Sequence, residues 1–147
     1  MAFFCVILFY MAENTIPLRK DVPESDRWDL STLFKSNDDW EKALSEIPAL
    51  TEKVVAFKGR MAESAESLLG ALKAIETLYK QIELVGQYAG LAYTADESDS
   101  VLQDRDDRAT MAAAKADAQT SFFSPELLAI DEEKVTSWLQ DAAFSDY

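Results

Sequence analysis

Histidine is the first thing to look for in a chain that might hydrolyse or bind metal, and this one has none among its 147 residues. That removes a Ser-His-Asp or Cys-His nucleophile and any zinc site with imidazole ligands. A single cysteine, Cys5, removes thiolate clusters and internal disulfides. Carboxylates are what is left. Asp96-Glu97-Ser98-Asp99 with Asp104, Asp106 and Asp107 has the density that a hard cation wants, but not the spacing. A calcium loop begun at Asp96 puts Val101 where glycine makes the turn and Asp107 where a bidentate Glu belongs, and Arg105 and Arg108 offer those acids cations of their own. The stretch therefore reads as a solvated helix start. Asp38 and Asp39 are adjacent, so on a helix they diverge and do not form an acid-base pair. Tyr79, Tyr88 and Tyr93 lie near one face of a long helix, where core or boundary packing is preferred over a ligand role.

Composition narrows the class. Apolar residues make up 48% and charged ones 28%, with four Gly and four Pro, which fits a globular all-α chain better than an all-β one. A net charge of -13, from 27 acidic against 14 basic residues, repels phosphate backbones and anionic lipid; no nucleic acid and no membrane surface is expected as a partner. The apolar run of residues 1–10 is shorter than the roughly 17 to 25 residues of a bilayer crossing, and it lacks the basic flank and cleavage site of a secretory signal. Met11 is the expected natural start and residues 1–10 a mis-called extension. A cytoplasmic location, with Cys5 reduced, follows.

Residues 1–24, with Pro17 and Pro23, read as a leader, and 25–147 as one helical domain. Ser36 with Asp38 and Asp39 predicts a helix start. Trp40, Leu44, Ile47, Leu50 (with Thr51), Val54 and Phe57 place an apolar stripe on that helix until Gly59, with a kink or break at Glu46-Ile47 ahead of Pro48. Ser64 and Glu66 predict a second start, with Leu68, Leu72, Ile75, Tyr79 and Ile82 in a four-three rhythm running to about Ala95. Gly86 and Gly90 share a face there, best explained by close approach of another helix backbone. Ser98 or Asp99 caps a third helix whose face is Val101, Leu102, Ala109, Ala112, Ala113 and Ala116. Ser124-Pro125-Glu126 predicts a short helix with Ser124 as N-cap, and Asp131-Glu132-Glu133 opens another through Val135, Trp138 and Leu139. The end at Tyr147, still aromatic and uncapped, reads as cut rather than finished.

The ordered set Arg27-Trp28-Asp29-Leu30-Ser31-Thr32-Leu33-Phe34, Asp39-Trp40-Glu41, Phe57-Lys58-Gly59, Leu68-Leu69, Tyr88-Ala89 with Tyr93, and Ser121-Phe122-Phe123-Ser124-Pro125-Glu126-Leu127-Leu128 resembles the amino-terminal region of oligoendopeptidase F, of the thimet-oligopeptidase-like zinc metallopeptidases. The resemblance implies an antiparallel bundle of long helices that caps a larger helical peptidase, roofs its channel, and restricts entry to short peptides. It also implies a zinc cofactor held by an H-E-x-x-H helix and a downstream Glu in the carboxy-terminal half. None of those residues is present, so no catalytic, cofactor-binding or metal residue carries over. The expected partners are the missing carboxy-terminal catalytic region and, in the complete enzyme, short peptides. The competing expectation is a freestanding helical interaction or dimerisation module, pairing through the Trp40-to-Phe57 stripe or the Gly86 and Gly90 face.

Overall fold

The computed structural model describes residues 19–145; Cys5 and the proposed extension at residues 1–10 lie outside the described residues. Three long helices carry the fold: α1 (Asn37–Val55), α2 (Ala65–Ala95) and α3 (Ser100–Thr120), followed by two short ones, α4 (Phe123–Leu128) and α5 (Glu132–Trp138). Each long helix starts where a side chain satisfies an orphan amide. Ser36 Oγ accepts from the Asp39 amide at 3.1 Å and donates to Asp39 Oδ2 at 2.8 Å. Ser64 accepts from Ser67 N at 3.2 Å, and Asp99 accepts from Val101 N and Leu102 N at 2.8 and 3.3 Å. Gly59, at φ +74°, sits in the turn between α1 and α2, where a left-handed residue lets the chain reverse.

The long helices run up, down and up. Trp40 at the start of α1 meets Val85 late in α2, and Tyr79 in α2 meets Asp117 late in α3; α1 and α3 are consequently parallel. Trp40, Ala43, Ile47, Thr51 and Val54 of α1 face Leu68, Ala71, Leu78, Val85 and Ala89 of α2 and Ala109, Ala116 and Thr120 of α3. At one end Met61, Phe123, Ile130 and Phe144 close the core. Alanine dominates the α3 contribution, and small side chains let its axis come close to the others.

Several expectations need correction. α1 passes Pro48 without a break, so the lost amide is tolerated on an exposed side of a helix anchored by packing at both ends. On α2 the fully buried line is Leu68, Ala71, Leu78, Val85 and Ala89; Leu72, Ile75 and Ile82 flank it half-buried, and Tyr79 is exposed. A middle helix packed on both sides has its seam between two stripes rather than on one. Val101 stands in solvent at the first turn of α3. Ser124 caps nothing: α4 begins at Phe123, because the chain passes through Ser121 and Phe122 in helical geometry and needs no fresh start.

The glycines reverse the expected roles. A Cβ on Gly86 would meet nothing within 4 Å, and one on Gly90 would lie 3.4 Å from Asp106 Oδ1, a side chain rather than a helix backbone. Gly70 is the crowded one, with Phe57 Cζ 2.8 Å from where a Cβ would sit. Gly86→Ala should therefore raise stability by about 0.5–1 kcal/mol through helix propensity. Gly70→Ala should give up that gain and lose about 1–2 kcal/mol to displacement of the Phe57 ring. Urea unfolding of the two variants against the parent checks both signs.

Candidate functional site

Two features concentrate chemistry where the three long helices meet. The first is an aromatic and cationic knot. Trp40 is fully buried and donates its indole Nε1–H to the Val85 carbonyl at 3.0 Å. Tyr88 stacks beside it, with ring centres 6.5 Å apart, and Phe34 meets Tyr88 edge-on at 5.4 Å. From α3 the guanidinium groups of Arg105 and Arg108 each lie 5.4 Å from the Trp40 ring. Arg108 also donates both terminal nitrogens to Glu41 of α1, at 2.7 and 2.5 Å, a bidentate pair.

The second is a groove of about 330 Å³ between α1 and α3. Leu44, Ile47, Ala112 and Ala116 make its floor, Pro48 and Met111 its apolar rim, and Arg108, Lys115 and Glu52 its charges. Thr51 is its one hydroxyl, and it is occupied: Oγ1 donates to the Ile47 carbonyl at 2.9 Å. The sequence signal was a second rhythm on α3, Arg105, Arg108, Ala112, Lys115 and Gln119, hidden behind its alanines.

The residues singled out earlier are scattered. Asp96 accepts from the amide and hydroxyl of Ser98, and Asp99 caps α3. Arg105 lies over the Trp40 ring, and Arg108 pairs with Glu41 while staying near Asp104 of its own helix. The tyrosines do not share a face. Tyr79 donates to Asp117 of α3 at 3.2 Å, and Tyr88 to Asn37 beside α1 at 3.2 Å, because nine residues turn a helix through two and a half revolutions. Burial, then the Asp117 charge, pushes the Tyr79 phenol up. Of the Trp40-to-Phe57 stripe, Trp40, Ile47 and Val54 are buried in the core and Leu44, Leu50 and Phe57 are partly buried against it. Among the described residues no group of three or more His, Cys, Asp or Glu is placed to hold a metal ion. No helix among the described residues is long and apolar enough to cross a membrane.

The fold is an all-α helical bundle with an open groove between α1 and α3. Within that class the chain is oligoendopeptidase F-like. It is 28% identical to Oligopeptidase PepF of Bacillus subtilis over 86% of its own length, and 31% identical to the plasmid Oligoendopeptidase F of Lactococcus lactis subsp. cremoris over 88%. It is also 30% identical over 82% to the Group B oligopeptidase PepB of Streptococcus agalactiae. The chain spans only about a fifth of the length of these curated relatives, 19%, 21% and 20% respectively. No family model matches it, and no solved structure gives a significant match.

The hydrogen bonds from Arg108 hold the Glu41 carboxyl below the ordinary glutamate range, against a small opposing effect of burial. A lowered folded value means stabilisation that is complete above the pKa of free glutamate and lost as pH falls through the folded one. Glu41→Gln should thus cost about 0.5–1 kcal/mol near neutral pH, the range for a half-exposed pair with bidentate geometry. Denaturant titrations at descending pH should show that difference closing as Glu41 itself is protonated.

Proposed function

We propose that this chain is the helical, substrate-restricting part of an oligoendopeptidase F-like peptidase that acts on short peptides in the cytoplasm. The similarity to oligopeptidases along more than four-fifths of the chain, set against its covering about a fifth of theirs, carries this reading. The bond-breaking apparatus, zinc and its H-E-x-x-H ligands, would be supplied by residues outside these 147. What the present residues contribute is a stiff wall. A 31-residue α2 is about 45 Å long, enough to line one side of a cleft, and its packing between α1 and α3 keeps it from yielding to a bulky folded substrate. Restricting access by shape selects substrates without a reacting group in the wall itself.

Two measurements test the proposal. The purified 147-residue chain should neither hydrolyse a quenched fluorogenic peptide with zinc added nor keep stoichiometric zinc through gel filtration; zinc-dependent turnover by this chain overturns it. In a longer peptidase that carries this segment, removing residues 25–147 should raise cleavage of protein-sized substrates relative to short peptides. An unchanged ratio in a deletion variant that still cleaves the short peptide counts against a restricting role.

A further inference from the structure

The groove between α1 and α3 carries two charges that nothing in the chain answers. Glu52 stands on the α1 rim and Lys115 on the α3 rim, both exposed, and neither has an ion pair or side-chain hydrogen bond among the described residues. Between them lies an apolar bed of Ile47, Ala112 and Ala116, with Met111 standing 54% accessible beside it. The other cation of the groove, Arg108, is taken by Glu41. A ligand that fits must bring one cation, one anion and an apolar body.

The helices set how far apart those two ligand charges must be. The Glu41–Arg108 pair holds α3 beside a parallel α1, which puts Lys115 level with Pro48, four residues from the level of Glu52. At a rise of about 1.5 Å per residue the rim charges are offset by roughly 6 Å along the helices. Packed helices stand about 8–10 Å apart, so the separation across the groove is roughly 10–12 Å. A free amino acid, whose ammonium and carboxylate share one carbon, cannot answer both. An extended peptide advances about 3.3–3.6 Å per residue, and three residues bring its two ends to about the required separation. The groove volume of about 330 Å³ is at the small end of ligand sites, suited to such a peptide and not to a folded chain. With both ends free the peptide is neutral, so the net charge of -13 does not repel it as it would an anionic ligand.

On the reading that short peptides reach this unit, we propose that the α1–α3 groove is a non-catalytic binding site for a peptide of about three residues with free ends. Glu52 takes the amino-terminal ammonium, Lys115 takes the carboxy-terminal carboxylate, and an apolar middle side chain lies on Ile47, Ala112 and Ala116. A site that reads both ends at once measures length, since a longer extended peptide can reach only one of the two rims.

Titration of the 147-residue chain with the tripeptide Ala-Leu-Ala, followed by amide-detected NMR, is the test. Shifts should concentrate in residues 44–52 and 108–119, with a Kd of about 1 mM or tighter. Acetylating the amino end or amidating the carboxyl end should each weaken binding about two- to fivefold, the range for one exposed ion pair. Glu52→Gln should remove the penalty of acetylation and keep that of amidation, and Lys115→Gln should do the reverse. Both side chains are exposed, so circular dichroism should show unchanged helicity in the two variants. A chain without groove shifts at about 5 mM tripeptide, equal binding of the free and doubly capped peptides, or variants that keep both penalties overturns the proposal. None of these results alters the restricting role, which the deletion of residues 25–147 from a longer peptidase tests by a separate readout.

Discussion

The bundle depends on one residue being held by all of its neighbours at once. Trp40 is fully buried at the first turn of α1; its indole N–H reaches the Val85 carbonyl of α2, its face is shared by Tyr88, and both guanidiniums of α3 lie over it. A buried indole without an acceptor leaves an unsatisfied donor. That donor is satisfied only when α1 and α2 are in register, and the cations over the ring require α3 to be in register with both. Tryptophan truncation in such a place typically costs about 3–5 kcal/mol, a large part of the stability of a domain this size. Everything said about the groove inherits this, since the Glu41–Arg108 pair that sets the offset of α3 against α1 is built one residue from Trp40.

Much of this was legible in the residues. The caps at Ser36, Ser64 and Asp99 and the extent of α2 to Ala95 are local properties, fixed by side chains within three positions of the amide they satisfy. What escaped was anything requiring a second helix. The buried line of α2 differs from its most obvious stripe because two partners, not one, divide its surface. Gly86 looked like a contact and is open, while Gly70 looked incidental and sits under Phe57. Arg105 and Arg108 looked like companions for neighbouring aspartates, whereas the Trp40 ring and Glu41 claim them from 60 or more positions away. Single-sequence periodicity describes one helix at a time, and the groove exists only between two. The resemblance to oligoendopeptidase F, by contrast, rests on an ordered series of short segments and is readable without any coordinates.

The absence of histidine shapes what such a unit can contribute. Several of its polar groups serve as caps, as helix-to-helix hydrogen bonds or in the bidentate Glu41–Arg108 pair; Gln81, for example, uses its amide on the Ala43 carbonyl at 2.9 Å. Groups committed in this way align surfaces and hold them rigid. They are poor candidates for proton transfer, which needs a titrating group near the working pH and free to change partners.

The short helices after α3 have a further consequence. Glu126 of α4 accepts the Gly59 amide at 2.7 Å, and the Lys134 ammonium of α5 donates to the Ala62 carbonyl at 2.6 Å, so the turn between the first two long helices is fastened by residues that follow it by 67 and 72 positions. A ribosome adding about 5–20 residues per second delivers that fastening several seconds after the turn itself has emerged. The first two helices must therefore wait, paired but with their connection unpinned, until α4 and α5 arrive to lock it.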